Sequence, residues 1–143
     1  MGVELRLFDE SDRARCQRIA AAAAMSSYGP RLDGAAFSAD DPLEACDQRW
    51  LAIVDGEVAG FIELIGAHVS NLFVDPGFQG RGVGSRLMAA AEAAVEGDLT
   101  LSVFTVNPGA RRLYERLGFV VEGTGPVAFA GGQRDVWRMR KSR

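Results

Sequence analysis

A chain of 143 residues is long enough for one folded domain with a buried core. Its hydrophobic share of 48% and charged share of 24% are ordinary for a globular protein, and 16 basic against 19 acidic residues argue against general nucleic-acid binding. The longest apolar run, residues 19–25, is too short to span a bilayer. Because the N-terminus also lacks a signal-peptide pattern, we expect a cytoplasmic protein with no membrane partner.

The two cysteines and the single histidine do not have the spacing of a metal site. Cys16, Cys46 and His68 lie far apart in the sequence and cannot complete a zinc set together. We therefore expect no metal, and two buried free thiols in a reducing compartment.

The first part of the chain predicts a strand and two helices. Residues 3–8 alternate as a strand, and Asp9 or Ser11 is a suitable cap for a helix that ends near residues 28–30. Residues 29–39 have the composition of a loop. Asp41 then stands as an N-cap before Pro42 and Glu44, which predicts the start of a second helix.

An antiparallel meander is predicted next. Residues 50–54 and 58–65 flank Asp55-Gly56, a pair that favours a two-residue type I′ hairpin turn. A further strand, residues 69–74, completes the meander and stops at Asp75-Pro76.

The second half of the chain predicts a helix, a strand, another helix and two strands. Apolar residues recur at helical spacing from Val83 to Val95, and residues 99–106 are an apolar strand. The following helix has Asn107 as N-cap, Pro108 in its first turn and Gly118 at its end. Two last strands are expected at residues 119–122 and 134–139, with no internal repeat, so residues 1–143 are predicted to form one α/β domain.

The most informative segment lies between the meander and its following helix. Gly80, Gly82 and Gly84 alternate there, so the helix begins with bare backbone N–H groups that favour binding of a phosphate or pyrophosphate. The alternative is a turn that only lets the helix pack closely on the sheet. A Walker A loop is excluded because Ser85-Arg86 follows the last glycine, and Ser85 also replaces the third glycine of the dinucleotide-binding fingerprint.

Two segments resemble the GNAT superfamily of N-acetyltransferases. Residues 72–84 contain Leu-Phe-Val-Asp-Pro followed by Gln-x-x-Gly-x-Gly, which resembles the acyl-CoA-binding motif of that family. Residues 107–119 are similar to its Asn-x-x-Ala-x-x-Leu-Tyr-x-x-x-Gly-Phe segment. The resemblance implies an α/β (α+β) fold with a GNAT-like mixed, mostly antiparallel central sheet of about seven strands flanked by about four helices.

The resemblance also implies a role for each matched position. Acetyl-CoA would be the co-substrate, with its pantetheine arm alongside the backbone of the 72–74 strand and its pyrophosphate on the amides of residues 79–84. Asn107 would contact the same arm, and Tyr114 would present its hydroxyl to the leaving thiolate. The implied cofactor-binding residues are Leu72, Phe73, Val74, Gln79, Gly80, Arg81, Gly82, Val83, Gly84 and Asn107.

Acetyl transfer to an amine needs a base, because an alkyl ammonium has a pKa near 10.4. We prefer His68, whose pKa suits proton transfer, although a turn histidine at a strand edge is the alternative. Glu63 is the second candidate, its alternative being a solvated carboxylate on the sheet face. A water chain is the third candidate. Some family members that acetylate protein N-termini have a glutamate on the strand before the asparagine, but this chain has Ser102 there, so that glutamate is not available as a base.

The acceptor is expected to be an amine-bearing small molecule or peptide, bounded by the 28–39 loop and by residues 123–132 between the last strands. A cluster of acidic residues before the hairpin has two possible roles, to attract a cationic amine or to form a solvated face, and we favour the solvated face. These residues are Asp33, Asp40, Asp41, Glu44 and Asp47.

The oligomeric state stays open, and a homodimer is one possibility. We expect direct attack of the amine on the thioester, since no cysteine lies in either motif. The alternatives are a non-catalytic acyl-CoA-binding module and a phosphate-binding domain of another family.

Overall fold

A computed structural model describes residues 2–28, 42–129 and 132–143 of the chain. These residues form seven strands and three α-helices. In chain order they are β1 (Val3–Leu7), α1 (Arg13–Tyr28), β2 (Gln48–Val54), β3 (Glu57–Ile65), β4 (His68–Val74), α2 (Val83–Ala94), β5 (Leu99–Phe104), α3 (Pro108–Arg116), β6 (Val120–Phe129) and β7 (Gly132–Lys141).

The strands form one sheet in the order β1-β2-β3-β4-β5-β7-β6. Every neighbouring pair is antiparallel except β4 and β5, which are parallel. The prediction of a mixed, mostly antiparallel sheet of about seven strands is therefore confirmed, although the described residues contain three α-helices rather than about four.

The local sequence signals predicted the following turn and helix ends correctly. Asp55 and Gly56 both have positive φ, 52° and 79°, as the predicted type I′ turn requires. Asn107 accepts a hydrogen bond from the amide of Ala110 at 3.1 Å and so caps α3. Gly118 has φ of 100°, the left-handed conformation expected just after this helix.

The helix predicted to start at Pro42 is wrong. Residues 42–46 are not helical, and Asp41, its proposed cap, lies outside the described residues. The acidic side chains bond to the sheet instead, since Asp47 accepts a hydrogen bond from the amide of Gly66 at 2.6 Å and Glu44 accepts one from Asn71 at 3.0 Å. Contacts with β3 and β4 thus override a local capping signal.

The last two strands are longer than predicted. β6 and β7 pair from Val120↔Arg140 to Phe129↔Gly132, so nearly all of the 123–132 segment that was expected to be a loop is strand. Pro126 does not end the strand, because β6 is the edge strand of the sheet, where a missing N–H is tolerated. The predicted loop at residues 29–39 falls outside the described residues.

β4 and β5 are paired only where they start. His68 pairs with Thr100, and no further pair follows, so the two strands diverge toward their C-terminal ends. β4 also contains a bulge at Ser70, since Glu63 pairs with Asn71 and Leu64 with Val69. The sheet therefore opens beside the second half of β4.

Each face of the sheet carries its own apolar core. On one face, Leu87, Met88 and Ala91 of α2 pack on the sheet together with Phe119. On the other, Cys16 and Ile19 of α1 pack on β2 and β3. Across the residues described, no helix combines the length and the apolar character needed to cross a membrane.

Candidate acyl-CoA site

A cavity of about 670 Å³ lies in the opening beside β4. It extends from the end of β4 through the glycine loop to the start of α2, with one side of α3 and two residues of α1 facing it. The lining residues are Ala23, Ala24, Leu72, Phe73, Val74, Phe78, Gln79, Gly80, Gly82, Val83, Gly84, Ser85, Asn107, Gly109, Ala110, Leu113, Tyr114 and Arg116. Its size is within the range of small-molecule sites.

The glycine loop leaves the N-terminus of α2 without a side-chain cap. Gly80 and Gly82 have φ of 79° and 77°, values that favour glycine, and Gly82 is the N-cap residue. The first hydrogen bond of the helix runs from the amide of Arg86 to the carbonyl of Gly82, so the amides of Val83, Gly84 and Ser85 precede the first helical bond. These amides and the helix dipole make the loop suitable for an anion.

Asn107 and Tyr114 line the opposite side of the cavity, on α3. The side-chain oxygen of Asn107 is already engaged in capping the helix. The ring of Tyr114 packs edge-on against Phe119, with the ring centroids 5.9 Å apart. Tyr114 is therefore both a packing residue and a cavity residue, because the ring contact orients a side chain that also lines the cavity.

Of the ten predicted cofactor-binding residues, all but Arg81 line this cavity. The guanidinium of Arg81 lies 5.4 Å from the ring centroid of Phe78, at the edge of the loop. Sequence reasoning did not anticipate Arg116, which places a basic side chain at the cavity from the last turn of α3. Its position three residues after Leu113 on an amphipathic helix is a signal that could have found it.

The two candidate bases do not line the cavity. His68, half-buried at the start of β4, has Nδ1 2.8 Å from Oγ1 of Thr100, and burial lowers its pKa below the usual 6.5. It is therefore mostly neutral at pH 7. Along a strand, four residues separate it from Leu72 by about 13 Å.

Glu63 is buried, so the prediction of a solvated carboxylate as its alternative role is wrong. Only 1% of the residue is exposed. Its carboxylate forms an ion pair with Arg49 of β2, whose Nε donates at 2.6 Å, and it accepts a hydrogen bond from Nδ2 of Asn71 on β4 at 2.9 Å. Arg49, Glu63 and Asn71 are cross-strand partners in one row, which compensates for burying the charge.

Neither cysteine has the surroundings of a nucleophile. Burial raises the pKa of the Cys16 thiol to about 12 and also raises that of Cys46. Both remain protonated at neutral pH, and neither lines the cavity. Within the described residues, no group of three or more His, Cys, Asp or Glu side chains is arranged to hold a metal ion.

Comparison with known families identifies the family and the fold. Residues 46–121, which include the glycine loop and α3, match the family described as "Acetyltransferase (GNAT) domain". The chain belongs to the GNAT superfamily of acetyl-CoA-dependent N-acetyltransferases. The match covers more than half of this GNAT domain, from the segment before β2 to the start of β6.

Curated relatives include acetyltransferases with different substrates in their names. This GNAT domain is 31% identical over 142 residues to the mycothiol acetyltransferase of Nocardia farcinica, a match that covers 96% of this chain and 43% of that protein. It is 38% identical over 79 residues to the peptidyl-lysine N-acetyltransferase YjaB of Salmonella typhimurium, which covers 54% of each. The chain thus spans about half the length of the curated relatives it matches.

Solved structures share the whole fold at low sequence identity. Apo YjaB from Escherichia coli has a TM-score of 0.79 at 22% identity, covering 98% of this chain and 97% of that one. The PaiA N-acetyltransferase of Thermoplasma acidophilum, solved in complex with coenzyme A, has a TM-score of 0.77 at 19% identity and covers 100% of both chains. These likenesses establish the fold.

Proposed function

We propose that this GNAT domain, acting as one unit of residues 1–143, transfers the acetyl group of acetyl-CoA to a primary amine of a small molecule or peptide by direct attack. One observation carries the proposal: the cavity in the opened sheet joins the uncapped N-terminus of α2 to the diverging edge of β4 and to Tyr114. The diphosphate of acetyl-CoA would bind at the helix N-terminus, its extended arm would lie along the edge of β4, and its leaving sulfur would face Tyr114.

The fit to coenzyme A rests on this chain's own backbone. The amides of Val83, Gly84 and Ser85 precede the first hydrogen bond of α2 and would bind the diphosphate there. Gly80 and Gly82, both with positive φ, let the chain turn at this point without side chains. Beyond His68, the edge of β4 that faces β5 has no strand partner in the described residues. An extended amide chain would bind that edge in the manner of an added strand.

The same edge supplies donors for the reaction. When an amine attacks the thioester carbonyl, its oxygen becomes an anion that backbone N–H groups stabilise. The N–H groups of Leu72 and its neighbours on β4 are the candidates, because the strand both lines the cavity and diverges from β5. The bulge at Ser70, at the inner end of this edge, breaks the regular pairing with β3 and re-aims the strand.

Tyr114 is proposed as the acid for the leaving thiolate. A phenol with a pKa near 10 donates readily to a thiolate as it forms, since a coenzyme thiol is of similar basicity. The contact with Phe119 fixes its ring, and α3 presents the side chain to the cavity opposite β4.

For the base, we propose His68 acting through water, with Glu63 as the second candidate. His68 is neutral at pH 7 because burial lowers its pKa, so it can accept a proton. Glu63 is the less accessible of the two, because its carboxylate oxygens already accept hydrogen bonds from Arg49 and Asn71 and the residue is buried.

Two measurements test the proposal in order. Isothermal titration calorimetry with acetyl-CoA asks whether the cavity binds the co-substrate, and a lack of heat would remove the acyl-CoA assignment. Release of free thiol from acetyl-CoA is then followed over a panel of amines, peptides with N-terminal or lysine amines among them. Turnover on any amine supports a transferase, whereas binding without turnover on the whole panel favours a non-catalytic acyl-CoA-binding module.

A further inference from the structure

The cavity passes through the sheet from one face to the other. Leu72 packs with the core on the face of α2 and α3. Phe73 packs with the core under α1, where the ring centroids of Phe73 and Phe61 lie 5.5 Å apart. Leu72 and Phe73 both line the cavity, as do residues of α3 and of α1. The opening beside β4 thus has α3 on one side and α1 on the other.

The part of the cavity wall that α1 contributes consists of two alanines. Ala23 and Ala24 follow Ile19 and Ala20 by four residues each, so they extend by one turn the stripe of α1 that packs on the sheet. They are 6% and 1% exposed, and both line the cavity. The buried stripe therefore carries only methyl groups where it borders the opening.

The space beside these two alanines distinguishes them from Ala22 on the same helix. Alanine favours a helix at any position, and the exposed Ala22 needs no other reason. At a buried position that borders a cavity, a larger apolar side chain would gain stability from burial. Ala23 and Ala24 instead leave that volume to the cavity, and so to the molecule that the cavity binds.

The position of Tyr114 indicates which part of an acyl-CoA meets this wall. Tyr114 lines the cavity from α3, where its hydroxyl is proposed to face the leaving sulfur. The acyl group is attached to that sulfur and, with its carbonyl oxygen on the N–H groups of β4, extends away from α3. Across the opening it meets Phe73, Ala23 and Ala24. These side chains are all apolar, so this side of the cavity suits a hydrocarbon chain.

We propose that Phe73, Ala23 and Ala24 form an acyl pocket that accepts chains longer than acetyl, such as propionyl and butyryl. This rests on the proposed function, because it describes the donor side of the same reaction. The chemical step is unchanged. The amine nitrogen forms a bond to the acyl carbon and the carbon–sulfur bond breaks, while the amine proton goes to the base and the leaving thiolate takes a proton from Tyr114.

The test is calorimetric titration of coenzyme A and of acetyl-, propionyl- and butyryl-CoA into the wild-type protein. Coenzyme A lacks an acyl group, so the ratio of its Kd to that of each thioester isolates the contribution of the acyl chain. Burial of each added methylene should raise the affinity about fourfold from acetyl to butyryl. Thiol release with an amine acceptor should show that the longer thioesters are also used. An affinity that stays level or falls along the series overturns the pocket.

Ala23→Leu and Ala24→Leu should fill the pocket. Both variants should lose the gain from acetyl to butyryl, and butyryl-CoA should bind them about tenfold or more weakly than it binds wild type, because a filled pocket admits the chain only with strain. The affinity for coenzyme A and the melting temperature should change little. Ala22→Leu is the matched control, since this exposed residue of α1 does not line the cavity. If Ala24→Leu fails to fold, the smaller Ala24→Val takes its place.

The outcomes separate the acyl pocket from the transferase. If Ala23→Leu and Ala24→Leu weaken coenzyme A and butyryl-CoA equally, the alanines border the pantetheine arm and the pocket is overturned. It is also overturned if the variants keep the wild-type gain in affinity. Turnover with acetyl-CoA and level affinities along the series overturn the pocket and leave the transferase intact. An affinity that rises with chain length, without turnover on any amine, supports the pocket and overturns the transferase.

Discussion

The phosphate role of the glycine loop can be tested at Gly82 with a pair of variants that differ only in charge. Gly82 has φ of 77° and ψ of 12°, and a Cβ built there meets nothing within 4 Å, so a side chain fits in space but occupies left-handed backbone. Asn and Asp tolerate this conformation best and are both good N-caps. Gly82→Asn and Gly82→Asp should therefore fold alike.

Their affinities for coenzyme A should differ strongly. A carboxylate about 5 Å from each of two phosphate charges costs, at an effective dielectric constant of 40 to 80, about 2–3 kcal/mol, or roughly 20- to 200-fold in Kd. The repulsion is expected because Gly82 lines the cavity at the N-terminus of α2, so the added carboxylate would lie beside the bound phosphates. The ratio should shrink as salt is raised toward 1 M, where the Debye length falls to about 3 Å.

The assay is calorimetric titration of coenzyme A at low and high salt, with circular dichroism and melting temperatures as checks on folding. Gly97→Asp is the control, since Gly97 has φ of 84°, meets nothing within 4 Å and lies beyond the opposite end of α2. It should bind coenzyme A as wild type does. Equal affinities of the Asn and Asp variants at low salt would refute the phosphate site.

Three further substitutions test other parts of the mechanism. Tyr114→Phe should lower kcat about tenfold or more with a smaller rise in KM, as measured by thiol release, and unchanged turnover would remove it from the mechanism. Burial lowers the pKa of His68, so at acidic pH the unfolded chain binds more protons than the folded one. The free energy of unfolding of wild type should therefore fall relative to that of His68→Gln as pH drops below about 6.5. Urea unfolding at pH 7.5 and 5.5 measures this difference. If His68 is the base, the acidic limb of kcat/KM should also disappear in that variant. Gly60→Ala places a Cβ 2.6 Å from the carbonyl oxygen of Phe73 and should therefore displace β4. We expect weaker coenzyme A binding, measured by titration, and a loss of about 1–3 kcal/mol in the free energy of unfolding, measured by thermal unfolding.

Sequence alone predicted features that arise from short-range physics. The Asp55-Gly56 turn, the capped start of α3 and the glycine-rich start of α2 each follow from a few adjacent residues whose backbone preferences agree. Since the glycine loop and α3 both line the cavity, most of the candidate acyl-CoA site could be predicted in this way.

The parts that were missed depend on contacts between distant residues. Residues 42–46 carry a good helix start, but Glu44 and Asp47 bond to β4 and to the β3–β4 turn, and these contacts decide the conformation. The length of the β6–β7 hairpin follows from pairing over ten residues of each strand, which overrides its glycines and proline.

The choice of base shows how register changes the chemistry assigned to a residue. From the sequence, Glu63 between two apolar residues was either a candidate base or a solvated carboxylate on the sheet face. In the structure, α1 covers that face, and the carboxylate persists there because Arg49 and Asn71 arrive beside it from the strands on either side. Removing one member of such a buried pair costs about 3–5 kcal/mol, so low activity in a Glu63 variant would first report lost structure. His68, neutral and half-buried at the strand end where the sheet begins to open, has Thr100 as its one side-chain hydrogen-bond partner among the described residues. Its substitution should therefore change the pH profile rather than the fold.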